Sequence, residues 1–151
     1  MDGGYGHHRF DRLTPEARSA LMARIRGRDT APELRLRALL HAMGYRFRLH
    51  RADLPGTPDV VLPGRRKVLF LHGCFWHRHA GCRFATVPRT RVGFWDEKFA
   101  RNLARDARVR RALNRAGWSV AVVWECALRD EARLARRLER FLGPAGAAGV
   151  R

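Results

Sequence analysis

Lys67-Val68-Leu69-Phe70-Leu71-His72 is nearly all apolar, and it runs without a break into Gly73-Cys74-Phe75-Trp76-His77-Arg78-His79-Ala80-Gly81-Cys82. Four consecutive apolar residues leave no solvent face, so this segment reads as a strand covered on both sides, which requires helices above and below a sheet. That strand delivers the chain into a stretch of a different character. From His72 to Cys82 it holds three histidines, two of the three cysteines of the chain and an adjacent Phe-Trp pair. Neither a core strand nor a solvated loop needs that mixture, and it reads as a site.

The other elements follow from local signals. Residues 1 to 12 are rich in glycine and histidine and read as a flexible arm; Thr14-Pro15-Glu16 opens a helix to about Arg26, whose Arg24, Arg26 and Arg28 could grip phosphates or simply face solvent. Thr30-Ala31-Pro32-Glu33 is a capping box, and its helix turns Leu36, Leu39, Leu40 and Met43 inward before Gly44. Glu33 has a sufficient task as a cap, yet stands at the edge of the inward stripe, where its carboxylate could also reach a site. Tyr45 to His50 alternates like a strand, and Pro58-Asp59-Val60-Val61-Leu62 pairs with Lys67 to His72 across the Pro63-Gly64 turn.

A long helix follows from about Phe94 to Ala116. At about 100° per residue, Trp95, Phe99, Leu103, Val109, Arg110 and Leu113 share its broad apolar face, while Arg101, Arg105 and Arg108 form a basic stripe. Lys98, Asn102 and Asp106 recur within the apolar face, where polar groups must be paired or line a site. Trp118 to Glu125 is a further strand leading to Cys126, and a last helix turns Leu134, Leu138 and Leu142 inward before Gly143. No repeat or linker divides the chain. The expected organisation is an arm over 1–12, one domain over 13–143 and a frayed tail over 144–151. The fold class is α/β, with helices flanking a mixed sheet of four or five strands.

Charge narrows the function. Lys and Arg number 31 against 14 acids, a formal charge of +17, whereas a small soluble domain carries a magnitude of about 2 to 8. Such an excess calls for a polyanion, and nucleic acid is the leading partner. No apolar run is long enough to cross a membrane and the N-terminus lacks the apolar core of a signal peptide, so a cytoplasmic protein is expected. Three cysteines, an odd number, favour metal ligation or burial over disulfides.

Cys74, His79, Cys82 and Cys126 form a Cys3His set suited to a structural, tetrahedral zinc, with His72 and His77 as competing donors. The plain alternative is three buried thiols acting as small apolar groups. A histidine left off the metal can move a proton near neutrality. Asp59 is the best single candidate for a magnesium ligand, because phosphodiester hydrolysis needs a metal held by hard oxygen. Leu71, with its backbone carbonyl, and His72 would stand beside it on the next strand. Phe75 and Trp76, with Trp95 as a third member, could wedge between base steps or merely cover the sheet.

Pro58-Asp59, His72-Gly73-Cys74-Phe75-Trp76-His77, Phe94-Trp95-Asp96-Glu97-Lys98, Asn102, Arg105-Asp106 and Val123-Trp124-Glu125-Cys126 together closely resemble the very-short-patch repair (Vsr) endonuclease family. The likeness extends from about Arg18 to Leu138. It implies a restriction-endonuclease-like fold and an enzyme that nicks DNA 5′ of the thymine in T:G mispairs, which arise when 5-methylcytosine deaminates. Asp59 then resembles the principal Mg2+ ligand, aided by the Leu71 carbonyl and water. His77 resembles the general base or water-positioning group, with His72 and Glu33 as accessory active-site residues. Cys74, His79, Cys82 and Cys126 resemble the structural Zn2+ ligands. Phe75, Trp76 and Trp95 resemble an intercalating wedge, and Lys98 and Asn102 join this DNA-binding set.

The partners so implied are mismatched duplex DNA, a cytosine-5 methyltransferase and the mismatch-repair machinery. The protein would be a monomer without membrane attachment, associated with the nucleoid when bound to DNA. Phe70-Leu71-His72 departs from the acid, any residue, lysine pattern of the broader nuclease superfamily, and position 71 is often threonine in the family. The readings set against it are a non-enzymatic zinc-containing DNA-binding module and a nuclease of the same fold acting on other DNA structures.

Overall fold

A computed structural model describes residues 29–146. The expected arm over 1–12 and the helix from Thr14 to Arg26 lie outside the described residues, as does the end of the tail. In chain order the elements are helix α1 (Ala31–Ala42), strands β1 (Arg48–Leu49), β2 (Val60–Leu62) and β3 (Lys67–His72), helix α2 (Val92–Arg115), strand β4 (Ser119–Trp124) and helix α3 (Glu131–Leu142). Short 3-10 turns cover Pro63–Arg65 and Glu125–Arg129.

The strands form one mixed sheet in the order β1-β2-β3-β4. β2 pairs antiparallel with both β1 and β3, while β3 and β4 run parallel with Leu71 opposite Val123, the connection between them being made through α2. Alternation along each strand sends side chains to two cores. Val60, Leu62, Leu69 and Val123 pack with Leu36 and Leu40 of α1 and Leu134, Leu138 and Leu142 of α3. Val61, Val68 and Val120 pack on the other face with Leu113 of α2 and Trp118. The sheet is therefore covered on both faces, as the apolar run of β3 requires, and the mixed α/β class holds.

Three local expectations are corrected. The strand read over Tyr45 to His50 is only Arg48–Leu49, both exposed at the sheet edge. Tyr45 is buried instead against the α1–α3 core, its hydroxyl donating to the Gly143 carbonyl at 2.5 Å, and His50 turns left-handed at φ 46°, which ends the pairing. Leu103 is 46% exposed, because α2 is 24 residues long and buries only Trp95 and Phe99 near its start and Leu113 near its end. Arg110, placed on the same face, is likewise exposed. Cys126 sits just past β4, in the Glu125–Arg129 turn, where a strand leading to it was expected.

Candidate active site and metal cluster

β2 and β3 bring Asp59 and Leu71 together. One Asp59 carboxylate oxygen accepts the Leu71 backbone N–H at 2.7 Å. An extended residue turns its N–H and C=O to the same edge, so the Leu71 carbonyl faces the side on which Asp59 stands. Burial pushes the Asp59 pKa above the ordinary carboxylate value, against the pull of the Leu71 hydrogen bond; Glu33 adds to the rise, and His50 and Arg37 oppose it. The site thus sets a carboxylate oxygen beside a backbone carbonyl, hard donors of the type a divalent cation takes.

Glu33 is 7% exposed at the start of α1. Thr30 caps the helix, its hydroxyl accepting Glu33 N at 3.4 Å, but the Glu33 carboxylate reaches one residue beyond the cap and accepts Asp29 N at 2.9 Å. The same oxygen is 2.9 Å from Arg37 Nη2 and 3.3 Å from His50 Nε2. A second arm of Arg37 donates to Asp29 Oδ1 at 2.8 Å. The buried carboxylate is therefore paired on several sides, as burial of charge demands.

At the end of β3 the His72 ring stacks on His77 at 3.8 Å between centroids, 8° from parallel. Burial, and then the neighbouring His77, lower the His72 pKa to about 4, so its imidazole is neutral at neutral pH. His77 Nδ1 lies 2.6 Å from Asp106 Oδ2 on α2.

Cys74, His79, Cys82 and Cys126 converge so that their donor atoms all lie within 4.8 Å of one another. The Cys126 sulfur is 3.5 Å from His79 Nδ1, and bonds of about 2.0 to 2.3 Å to one tetrahedral ion would put such donors on the order of 3.5 Å apart. Burial beside Cys126 and Cys82 pushes the Cys74 thiol up to about 12, which only a strong local positive charge would offset. His79 also stacks on Trp124 at 4.1 Å, orienting its ring. The four groups could hold a metal ion.

Between these donors Phe75 and Trp76 meet edge to face at 5.1 Å. Trp95 of α2 lies 5.5 Å from Phe75 and 5.8 Å from Trp76, and is buried, whereas Phe75 and Trp76 are half-buried. Lys98 Nζ stands 5.2 Å from the Trp76 ring centroid, and Asn102 donates to the Trp76 carbonyl at 3.2 Å. The repeating polar residues of α2 thus line up along one loop: Lys98 and Asn102 at Trp76, Asp106 at His77.

Comparison with known proteins shows the family of the chain. Residues 10–83 match the family described as DNA mismatch endonuclease Vsr. A type II nicking enzyme of Xanthomonas oryzae pv. oryzae, V.XorIIP, is 55% identical over 134 residues, covering 89% of this chain and 98% of the relative. DNA mismatch endonuclease Vsr of Escherichia coli is 48% identical over 137 residues, 87% of this chain and 86% of the relative. The chain belongs to the Vsr family. A further member, the type II nicking enzyme V.NmeAIP of Neisseria meningitidis, is 37% identical over 132 residues, 87% of this chain and 94% of the relative.

The Vsr resemblance drawn from the sequence therefore holds, and with it a DNA endonuclease of restriction-endonuclease-like fold. The segment matched to the family takes in Glu33, Asp59, Leu71, His72, Phe75, Trp76 and His77, and three of the four clustered metal donors. Sequence reading assigned no role to Arg37, His50 or Arg78 and gave Asp106 no partner. For Asp106 a signal existed, its place in the polar series of α2. Arg37 stands four residues after Glu33 on α1, a helical pairing distance legible in the sequence, whereas His50 carries no local mark, since only the folded chain sets the helix beside the loop after β1. Among the described residues, no helix is long and apolar enough to cross a membrane.

Proposed function

We propose that this protein nicks one strand of duplex DNA 5′ of the thymine in a T:G mispair left by deamination of 5-methylcytosine, and so starts very-short-patch repair. The observation that carries this reading is that one short loop holds three clustered metal donors, His77 and the Phe75-Trp76 pair, directly after the strand that meets Asp59.

Asp59 and the Leu71 carbonyl would hold Mg2+, with Glu33 as an accessory group. When bound, the metal supplies charge neutralisation at the scissile phosphate and a more acidic water. His77 takes a proton from the attacking water. Asp106 accepts from its Nδ1, which fixes the tautomer, leaves Nε2 as the base and stabilises the imidazolium that forms. Neutral His72, stacked beneath, can donate an N–H to a phosphate oxygen.

Phe75 and Trp76, backed by Trp95, enter the base stack next to the mispair, where unstacking is cheaper than in paired DNA. Lys98 and Asn102 contact DNA alongside them. Zn2+ held by Cys74, His79, Cys82 and Cys126 would stiffen the loop, since a closed tetrahedral thiolate-imidazole set has no open position for catalysis. The protein would act as a cytoplasmic monomer, one domain over 13–143, downstream of a cytosine-5 methyltransferase and upstream of mismatch-repair proteins.

Strand-resolved cleavage tests the reading. With Mg2+, the wild type should cut one strand of a T:G duplex and leave the matched duplex nearly intact, and Asp59→Ala should bind but not cut. Tight binding without a nick by the wild type would leave only a DNA-binding module. Equal cutting of both duplexes would point to a nuclease of other specificity.

A further inference from the structure

Arg78 lies between His77 and His79 but belongs neither to the metal cluster nor to the His72–His77–Asp106 group. Its backbone is left-handed, at φ 50°, a conformation disfavoured for any residue with a Cβ, so its surroundings must hold it there. The guanidinium shows how. Nη1 donates to the Phe75 carbonyl at 3.2 Å and to the Thr86 carbonyl at 3.0 Å, and Nη2 donates to the Ala85 carbonyl at 3.2 Å. Its carbon stands 4.2 Å from the centroid of the Phe99 ring and 5.6 Å from that of Phe75.

One planar group thus joins three segments: the turn carrying Phe75, the chain beyond Cys82, and α2. Metal bound by the clustered donors would hold the loop at positions 74, 79 and 82. Phe75 and Trp76 lie in the interval between the first two, where metal coordination does not brace them. A side chain pressed into a base stack meets a restoring force, and a wedge that yields deforms the protein instead of the DNA. Asn102 holds the Trp76 carbonyl from α2, and Arg78 supplies the brace at the Phe75 carbonyl. Its fixed fork reaches several carbonyls while its flat face covers the rings, a combination that a lysine ammonium cannot reproduce.

We propose that Arg78 is a positioning residue that holds the Phe75-Trp76 wedge rigid against the base stack, so that binding energy opens the DNA rather than the loop. This inference rests on the reading of Phe75 and Trp76 as a wedge.

The test compares single-turnover nicking of an intact T:G duplex with that of one in which the base next to the mispair is replaced by an abasic site, so the stack is already open. Arg78→Ala and Arg78→Lys are measured beside a Phe75→Ala, Trp76→Ala double variant, each checked for metal content and Tm. Arg78→Ala should slow cutting of the intact duplex roughly tenfold or more, the order that loss of a charge-assisted hydrogen bond carries. On the opened duplex it should cut at close to the wild-type rate, and Arg78→Lys should behave in the same direction. An equal slowing on both duplexes, or none on the intact one, overturns the inference; if Arg78→Ala does not fold, Arg78→Lys decides by the same ratio. Should the double variant gain nothing from the opened duplex, the wedge reading falls and the Arg78 inference with it. Should the double variant be rescued and the Arg78 variants not, only the Arg78 inference falls.

Discussion

His77 Nδ1 and Asp106 Oδ2 stand 2.6 Å apart, joining the loop after β3 to the middle of α2. A carboxylate can only accept, so Nδ1 donates and Nε2 remains the basic nitrogen. Asp106→Asn keeps the shape but can present an amide N–H to Nδ1, which selects the other tautomer. Single-turnover nicking should fall by roughly 100-fold or more, within the range of lost general-base catalysis, while DNA affinity and Tm change little. A variant that cuts at the wild-type rate would remove Asp106 from the mechanism.

The four clustered donors Cys74, His79, Cys82 and Cys126 predict a linkage between metal and folding. Cys126→Ser should lose zinc by elemental analysis and lower Tm together, because Cys126, just past β4, would tie the loop to the sheet through the metal. Chelation of the wild type should reproduce the loss, and zinc rather than magnesium should restore it. Finding no zinc in the purified wild type would overturn the assignment.

Arg37 and Glu33 form a nearly buried ion pair at 2.9 Å, with side chains 13% and 9% exposed. Arg37→Met leaves the Glu33 charge without its main partner and should cost roughly 3 to 5 kcal/mol, the scale for breaking a buried pair. Adding Glu33→Gln should restore part of that loss in denaturant unfolding, since the stranded charge is gone. A double variant less stable than Arg37→Met would show that the pair is not the source.

Gly56 has φ +72°, and a Cβ there would come within 2.9 Å of Val109 Cγ2 on α2 and closer still to its other methyl. Gly56→Ala therefore meets both a backbone and a steric penalty, and should destabilise by more than about 1 kcal/mol. Because Gly56 lies three residues before Asp59, nicking should also slow. Val109→Ala should relieve most of the steric part, its own Cβ remaining at 3.2 Å, and leave the backbone part, so partial recovery of Tm is the expected signature; full recovery would show the backbone strain to be absent.

Local pattern accounts for most of the secondary structure. The Thr30 cap, the apolar run of β3, the Leu134-Leu138-Leu142 stripe and the glycines at 44, 117 and 143 are signals within one turn or one strand, and each lies at the expected place. The misreadings share a cause. Tyr45 and Leu103 carry the right hydrophobicity for their expected settings, but burial depends on whether a partner surface exists, and α2 extends past the face it covers while Tyr45 turns to α3.

By itself the sequence determined the α/β class, the Cys74-His79-Cys82-Cys126 set, the Asp59 and His77 candidates and the family, because these depend on residue type and short spacing. Only the tertiary structure decided the distant pairings: Asp106 with His77, His50 with Glu33, and Arg78 with Phe99. Hydrogen bonds and ring contacts act over a few ångströms, and which polar groups come that close is set by how helices pack on the sheet, a relation that no local run of residues encodes.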